Sequence, residues 1–142
     1  MTALALALAA THAAANTATY TGDRPWSARE FAALLAQPGV ILAGTPRSFV
    51  LVRVILDEAE VLTIATHPVD QRQGLARAAL QAAEKTARAT GAITMFLEVA
   101  EDNLPARALY TGTGYAPMGR RPGYYHRANG SAVAALTLRK PL

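Results

Sequence analysis

A turn between a predicted strand and a long predicted helix has the residues needed to bind an anion. The segment 61–76 reads VLTIATHPVDQRQGLA, and the helix begins near its end. The first backbone amides of a helix lack partners inside it, and the helix dipole favours negative charge there. Gly74 allows a phosphate to approach the backbone closely, and Ala76 is small enough to allow the same. Arg72 and Arg77 add positive charge, so the segment is suited to a phosphate group.

One glycine in a strand–turn–helix is weak evidence by itself. On Gly74 alone, an ordinary turn is the better interpretation. The segment lacks the G-x-G-x-x-G pattern of dinucleotide-binding folds, and no G-K-S/T follows as in a Walker loop. The pattern therefore matches neither of these two common nucleotide-binding motifs.

A carboxylate lies inside the next predicted strand. Glu98 falls within the apolar segment 93–99, and strand alternation puts its side chain on the face opposite Leu97 and Val99. Such a carboxylate either lies in water at the edge of the sheet or lines a cleft. Composition alone favours the edge.

Asn103 and Tyr110 share one face of the short helix predicted over residues 104–111. Asn103 is well placed to cap the start of that helix. Tyr110 is interpreted, from the sequence alone, as a packed aromatic residue with a wet hydroxyl. Glu101 and Asp102 add negative charge that favours the same helix start.

These residues need a framework, and the pattern of the chain predicts one. The order α, α, β, β, β, α, β, α, β, β indicates a mixed α/β fold with helices on the faces of one sheet. The first helix is apolar, and the second follows a capping box of Ser27 and Glu30. The predicted helices span 1–15, 30–36, 73–90 and 104–111, and the predicted strands span 40–43, 48–56, 61–66, 93–99, 115–118 and 132–138.

Two groups of polar and charged residues are predicted to face solvent. The first is a solvated hairpin turn that includes Asp57, Glu58 and Glu60. The second is a polar stripe along the long helix, and its members are Arg77, Gln81, Glu84, Lys85 and Arg88.

Length and composition fit one globular domain over residues 1–142, because 51% of the residues are hydrophobic. The absence of cysteine excludes a thiol nucleophile, a disulfide framework and zinc–thiolate sites, and it fits a reducing, cytoplasmic location. His12, His67 and His126 lack metal-ligand spacing, so we expect them at surface or loop positions and expect no metal.

The net charge of +4 suits a polyanionic ligand but identifies none. No basic stripe with interleaved aromatic residues is present, so nucleic acid is not an expected partner. Residues 1–15 are apolar, yet no basic residue precedes the first charged one, Asp23, as a secretory signal would require. The segment is also too short to span a membrane, and a buried helix is the better interpretation.

The anion-binding turn resembles a known signature. Residues 71–76 read QRQGLA and match the pyrophosphate signature R/Q-x-x-G-x-G/A of the GNAT superfamily of N-acetyltransferases, after a strand as in that family. LDEA at 56–59, LEV at 97–99 and the pattern N-x-x-A-x-x-L-Y from Asn103 are similar to its ribosomal-protein N-terminal alanine acetyltransferase (RimI-like) branch. The resemblance covers roughly residues 26–138.

The resemblance implies a GNAT fold with a mixed, mostly antiparallel central sheet, and it implies acetyl-CoA as cosubstrate. Glu98 matches the general base of those enzymes, and Tyr110 matches their general acid. The acceptor would be the N-terminal amine of a protein, possibly ribosomal. Residues 72–76 would hold the pyrophosphate, and Ile64, Thr66 and Asn103 would contact the pantetheine arm. The implied cofactor-binding residues are therefore Ile64, Thr66, Arg72, Gln73, Gly74, Leu75, Ala76 and Asn103.

One departure concerns the acceptor side of the site. The first strand of the family is missing or reduced to residues 1–3, so a wall near the acceptor differs. Trp26 matches a tryptophan at the second helix of the family, and the segment 120–125 is similar to the segment that borders its acceptor-peptide site. The resemblance implies that Trp26, the region of Glu58 and residues 121–127 determine the acceptor. Three hypotheses stay open: an enzyme for protein N-termini, an enzyme for small amines, and a non-catalytic acyl-CoA-binding module. The sequence does not fix the oligomeric state.

Overall fold

The computed structural model describes residues 2–19 and 24–142 and has the predicted order of elements. Its helices are α1 (Ala3–Thr19), α2 (Ala28–Leu35), α3 (Leu75–Ala89) and α4 (Leu104–Gly112). Its strands are β1 (Val40–Thr45), β2 (Ser48–Ile55), β3 (Glu58–Thr66), β4 (Thr94–Ala100), β5 (Ala116–His126) and β6 (Ala132–Pro141). A one-turn 3₁₀ helix, Pro68–Asp70, lies between β3 and α3.

The six strands form one sheet in the order β1-β2-β3-β4-β6-β5. Neighbouring strands are antiparallel except β3 and β4, which are parallel. The parallel pair covers only the first three residues of each strand, from Glu58 opposite Thr94 to Glu60 opposite Phe96. Both strands continue beyond that point without a shared ladder, so the sheet opens between them.

The helices cover both faces of the sheet, and β2 shows how. Phe49 and Leu51 point into the cluster formed with α1 and α2, whereas Val50 and Val52 point into the cluster formed with α3. All four side chains are fully buried. A strand buried on both faces carries an uninterrupted apolar run, which explains the sequence SFVLV at its start.

The apolar N-terminal segment forms α1, as predicted, and buries Ala5 and Leu8 against the sheet and α2. From Thr2 onward no strand precedes this helix, whereas Met1 lies outside the described residues. None of the helices in residues 2–19 and 24–142 combines the length and the apolar character that a membrane crossing requires.

Two side chains predicted at the surface are buried. Glu84, assigned to the polar stripe of α3, is only 5% exposed because Tyr115 and Lys140 cover it and bond its two carboxylate oxygens. His12, assigned to a surface or loop, is 6% exposed because α1 packs it against Trp26 and Phe31. Both predictions were wrong because the burying partners are distant in sequence.

The strands β3 and β5 are longer than predicted, and both differences bear on the site. The turn before β3 lies at Leu56 and Asp57, so Glu58 and Glu60 are exposed residues of the strand itself. The strand β5 extends to His126 instead of ending at residue 118. Nearly all of its side chains are exposed at the edge of the sheet, so no alternation of apolar and polar residues reveals it.

Candidate active site

A cavity of about 890 Å³ opens where β3 and β4 separate. Its size lies in the usual range for small-ligand pockets, about 300–1,000 Å³. It is lined by residues 61–66 of β3, 98–100 of β4, the start of α3 and one side of α4. The cavity therefore meets the predicted anion-binding turn and the predicted polar residues of β4 and α4 in one place.

The backbone of β3 presents polar groups to this cavity. The amide of His67, just after β3, donates to the carbonyl oxygen of Arg47 at 2.8 Å, on the side of β2. Alternate residues of a strand direct their amides to opposite sides, so the amides of Ile64 and Thr66 face away from β2. The Gln71 side-chain amide donates to the Thr66 carbonyl oxygen at 3.2 Å, in agreement with that direction. Ile64 and Thr66 both line the cavity.

The turn after β3 ends in an open helix N-terminus. Gly74 is the N-cap residue of α3, has a φ of 75°, and makes no side-chain capping bond. The first amides of α3 are therefore not capped by a side chain. Apart from its neighbours in the chain, a Cβ atom built at Gly74 would meet no protein atom within 4 Å, so the space in front of the turn is free. Arg72 also has a positive φ of 64°, which is uncommon for a residue with a side chain.

Residues of this turn line the cavity in the expected place. Arg72, Gly74, Leu75 and Ala76 all border it, as does Arg77. Gln73 lies in the same loop but does not border the cavity. Unpaired amides, a helix dipole and two guanidinium groups make this end of the cavity suited to phosphate.

The sequence left open whether Glu98 lies in water at the edge of the sheet or lines a cleft. In the structure Glu98 lines the cavity. The strand β4 is not an edge strand, because it lies between β3 and β6. Its neighbours Leu97 and Val99 point into the cluster on the α3 face, so Glu98 points to the face of α1 and α2. One carboxylate oxygen of Glu98 accepts a hydrogen bond of 3.0 Å from the hydroxyl of Tyr125.

Tyr110 borders the same cavity from the other side of the sheet. It belongs to the cluster on the α3 face, is 4% exposed, and packs edge-on against Tyr115 with ring centroids 5.7 Å apart. Burial raises the pKa of the Tyr110 phenol above its ordinary value. The phenol therefore keeps its proton at neutral pH and is available as a hydrogen-bond or proton donor.

Asn103 caps α4, as predicted, and also lines the cavity. Its Oδ1 accepts from the amide of Ala106 at 3.3 Å. The nearby carboxylates of Glu101 and Asp102 are held by ion pairs with arginines of β5 and the following loop. Their N···O distances are 2.9 Å for Arg120 and 2.7 Å for Arg127.

Two contributions to the site were not expected from the sequence. Tyr125 was expected near the acceptor, but its bond to Glu98 was not foreseen because the two residues are 27 positions apart. His12 and Asn16 of α1 also line the cavity, together with Trp26. Apolar periodicity indicates that α1 is buried, but it does not indicate which polar residues the helix brings to a cavity.

The chemistry available in the cavity comes from one carboxylate, buried and partly buried phenols, and backbone amides. Over residues 2–19 and 24–142, no three His, Cys, Asp or Glu side chains are grouped as metal ligands would be. Glu98 on one face and Tyr110 on the other can respectively accept and donate a proton across the opening between β3 and β4.

Comparison with known proteins agrees with this architecture. The sequence profile of the acetyltransferase (GNAT) family matches residues 6–115. The ribosomal protein bS18-alanine N-acetyltransferase of Escherichia coli (strain K12) is 36% identical over 121 residues, which cover 79% of this chain and 78% of that protein. The N-alpha-acetyltransferase RimI of Mycobacterium tuberculosis (strain H37Rv) is 34% identical, with coverage of 85% of this chain and 78% of that protein.

A solved structure gives the same result for the fold. The crystal structure of the ribosomal-protein-S18-alanine N-acetyltransferase from Escherichia coli superimposes with a TM-score of 0.80 at 29% identity. The match covers 95% of this chain and 85% of that chain. A family profile that matches most of the chain, together with relatives above 30% identity, establishes the identity of the fold and of the reaction class. The chain belongs to the GNAT family of acetyltransferases.

Proposed function

We propose that the protein transfers the acetyl group of acetyl-CoA to the N-terminal amine of a protein, and that this acceptor is a ribosomal protein beginning with alanine. The observation that carries the proposal is that Glu98 and Tyr110 line the same cavity from opposite faces of the sheet. The relatives named for the alanine N-terminus of ribosomal protein bS18 support the choice of acceptor.

Acetyl-CoA fits the α3 side of the cleft. The uncapped amides at Gly74, Leu75 and Ala76, with those of Arg72 and Gln73, suit the pyrophosphate. The outward amides of Ile64 and Thr66 suit the amide groups of the pantetheine arm, which would extend β3 along its open side. Asn103 borders the same channel from α4 and contacts that arm in this proposal.

The acceptor amine fits the opposite face, where Glu98 lies. A terminal ammonium has a pKa of about 8, so its proton is removed at neutral pH at little cost. After the ammonium has lost its first proton to solvent, the free amine attacks the thioester carbon. Glu98 accepts, directly or through a water molecule, the second nitrogen proton, which must leave as the amide forms. The bond from the Tyr125 hydroxyl orients the carboxylate for this step.

The thioester carbonyl lies beside the amides of β3. An amide directed at its oxygen stabilises the negative charge that develops during attack. The carbon–sulfur bond of the tetrahedral intermediate then breaks, and the thiolate of coenzyme A leaves. Tyr110, protonated and on the face where the coenzyme lies, donates to that sulfur. The acetyl group passes directly to the amine, with no covalent enzyme intermediate.

Release of coenzyme A thiol tests the proposal. The purified protein is given acetyl-CoA with peptides that begin with alanine, including ribosomal N-termini, and separately with polyamines and aminoglycosides. Turnover with the alanine peptides alone is the expected result. Turnover with small amines alone would contradict the proposed acceptor, and tight acetyl-CoA binding without any turnover would favour a non-catalytic module.

The variant Glu98→Gln tests the proposed base. It keeps the shape of the side chain but removes its ability to accept the proton, so turnover is expected to fall about 10²-fold. Binding of acetyl-CoA is expected to stay near the wild-type value. Glu101→Gln is the matched control, because Glu101 is paired with Arg120 and does not line the cavity. Equal activity of the two variants would remove Glu98 from the mechanism.

A further inference from the structure

A histidine from α1 is packed into the wall of the cavity. His12 is 6% exposed, and its ring stacks on Trp26 with centroids 5.3 Å apart and an interplanar angle of 28°. Phe31 of α2 meets the same imidazole edge-on at 5.5 Å. The three rings join α1 to the segment that leads into α2, and both His12 and Trp26 line the cavity.

A hydrogen bond fixes the backbone of that segment. Residues 24–27 have no regular secondary structure, so the ladder bonds of a helix or strand do not hold them. The amide of Trp26 donates to Nδ1 of His12 at 3.0 Å. Nδ1 accepts this bond only when it carries no proton, so the contact requires the neutral imidazole with its proton on Nε2.

Trp26 lies on the same face of the sheet as the proposed base. It packs against the cluster that contains Phe31 and Phe49, which is the face of α1 and α2. Glu98 points to this face, whereas Tyr110 belongs to the other. In the proposed mechanism the coenzyme lies on the Tyr110 side, which leaves the wall formed by His12 and Trp26 to the acceptor.

From this arrangement we infer that His12 is a positioning residue, which in its neutral form holds the backbone and indole of Trp26 in place as a wall of the acceptor site. The inference rests on the proposed function for the identity of the acceptor site. The contact between His12 and Trp26 is independent of it. His12 acts through Trp26 and does not touch the reacting atoms.

Burial and charge around His12 support its neutral form. Burial lowers the pKa of His12 below its ordinary value of 6.5, and the charge of Glu30 opposes this with a smaller effect. Glu30 is itself paired with Arg24 at 2.7 Å. On the other side, Asp70 of the 3₁₀ helix that contacts α1 is paired with Arg47.

The direction of the pH effect follows from these contacts. The unfolded chain takes up a proton at His12 more readily than the folded protein does. The stability that the neutral contact provides is therefore complete above pH 6.5 and declines as the pH falls. Protonation removes the acceptor of the Trp26 amide, so acceptor binding is expected to weaken over the same acidic range.

Trp26 gives a direct optical readout, because it is the single tryptophan of the chain. A protonated imidazole stacked on an indole quenches its emission. Titration of the wild type from about pH 8 to the lowest pH at which it stays folded is expected to show a quenching transition centred below the ordinary histidine value. His12→Asn and His12→Leu are expected to lack it. An emission profile that is flat in the wild type, or unchanged in both variants, would overturn the contact.

Two variants of nearly equal shape separate positioning from packing. Asn retains an acceptor atom close to the place of Nδ1, whereas Leu does not. In His12→Leu the KM for the acceptor peptide is expected to rise roughly three- to tenfold, the usual effect of one hydrogen bond. The kcat and the KM for acetyl-CoA are expected to stay near wild-type values, and His12→Asn is expected to recover most of the loss.

Other patterns contradict the inference. Equal losses in both variants would mean that only the volume of the ring matters, and a parallel rise in both KM values would mean a general loss of structure. If the wild type turns over no amine, the proposed function fails, and with it the assignment of this wall to an acceptor. The pH titration of Trp26 emission would still decide whether His12 holds the indole.

Discussion

The Tyr125 hydroxyl donates a hydrogen bond of 3.0 Å to the Glu98 carboxylate, although the strands of the two residues are not neighbours in the sheet. Glu98 lies in β4 and Tyr125 near the end of β5, and β6 runs between them. The exposed edge strand β5 thus supplies a partner to the carboxylate in the cleft. This contact ties the segment expected near the acceptor to the proposed base.

Removal of the Tyr125 hydroxyl is expected to slow the reaction without preventing it. Tyr125→Phe keeps the ring but leaves one carboxylate oxygen of Glu98 without this donor. We expect kcat/KM to fall roughly fivefold to tenfold, the effect of one ordinary hydrogen bond, because this bond to the carboxylate is exposed to solvent. Tyr124→Phe is the control, because the neighbouring ring is 45% exposed and would keep its contact with Arg121. Similar losses in both variants would contradict a specific role for the bond.

The Tyr110 phenol is expected to matter for the chemical step. Tyr110→Phe retains the edge-on packing against Tyr115 but removes the proton that the leaving sulfur needs. We expect kcat to fall about 10- to 10²-fold, with little change in the melting temperature. Single-turnover kinetics with saturating acetyl-CoA measure this directly. A variant with wild-type kcat would show that the departing thiolate takes its proton from solvent.

Gly74 is expected to control coenzyme affinity. In Gly74→Ala the new Cβ enters the open space before α3, and the positive φ of 75° is strained by about 1–2 kcal/mol. Gly130→Ala carries the same kind of strain, with a φ of 85° and no atom within 4 Å, but Gly130 lies outside the cavity lining. We expect both variants to lose similar stability and only Gly74→Ala to bind acetyl-CoA more weakly, by calorimetry. Equal affinities would refute the phosphate site.

The buried Glu84 carboxylate makes stability depend on Lys140. The Lys140 ammonium lies 3.0 Å from one oxygen of Glu84, and the Tyr115 hydroxyl lies 2.7 Å from the other. In Lys140→Met the carboxylate stays buried without its cation. The free energy of unfolding is expected to fall by about 2 kcal/mol, below the usual range for a fully buried pair because Lys140 is partly exposed. Urea unfolding measures it, and Lys85→Met, on the exposed side of α3, should have little effect.

The parts of the fold that depend on neighbours in sequence could be predicted. The capping box is one example, since the Ser27 hydroxyl accepts from the Glu30 amide at 3.1 Å and the Glu30 carboxylate accepts from the Ser27 amide at 3.2 Å. Both bonds span three residues, so the pattern of side chains contains them. Strand alternation likewise predicted that Glu98 leaves the face of Leu97 and Val99.

The parts that depend on distant partners could not be predicted. Glu84 lies at a position on α3 where a polar residue is ordinary. Its burial depends on Tyr115 and Lys140, which are 31 and 56 residues later in the chain. His12 is buried by Trp26, which is 14 residues away and lies in the segment 24–27, where no helix or strand is formed. The contact between Tyr125 and Glu98 depends on the length of β5, which lies exposed at the sheet edge and carries no periodic signal.

The short pairing between β3 and β4 has a consequence for hydrogen exchange. Within one strand, alternate amides have different partners: those of Thr63 and Ala65 are directed at β2, whereas those of Ile64 and Thr66 are directed at the opening. In the unliganded protein the second pair is expected to exchange with deuterium quickly, although the strand itself is fully formed. A ligand that lies along β3 would slow the exchange of the Ile64 and Thr66 amides and leave that of the Thr63 and Ala65 amides unchanged. Such a ligand would take the place of a seventh strand in the open part of the sheet.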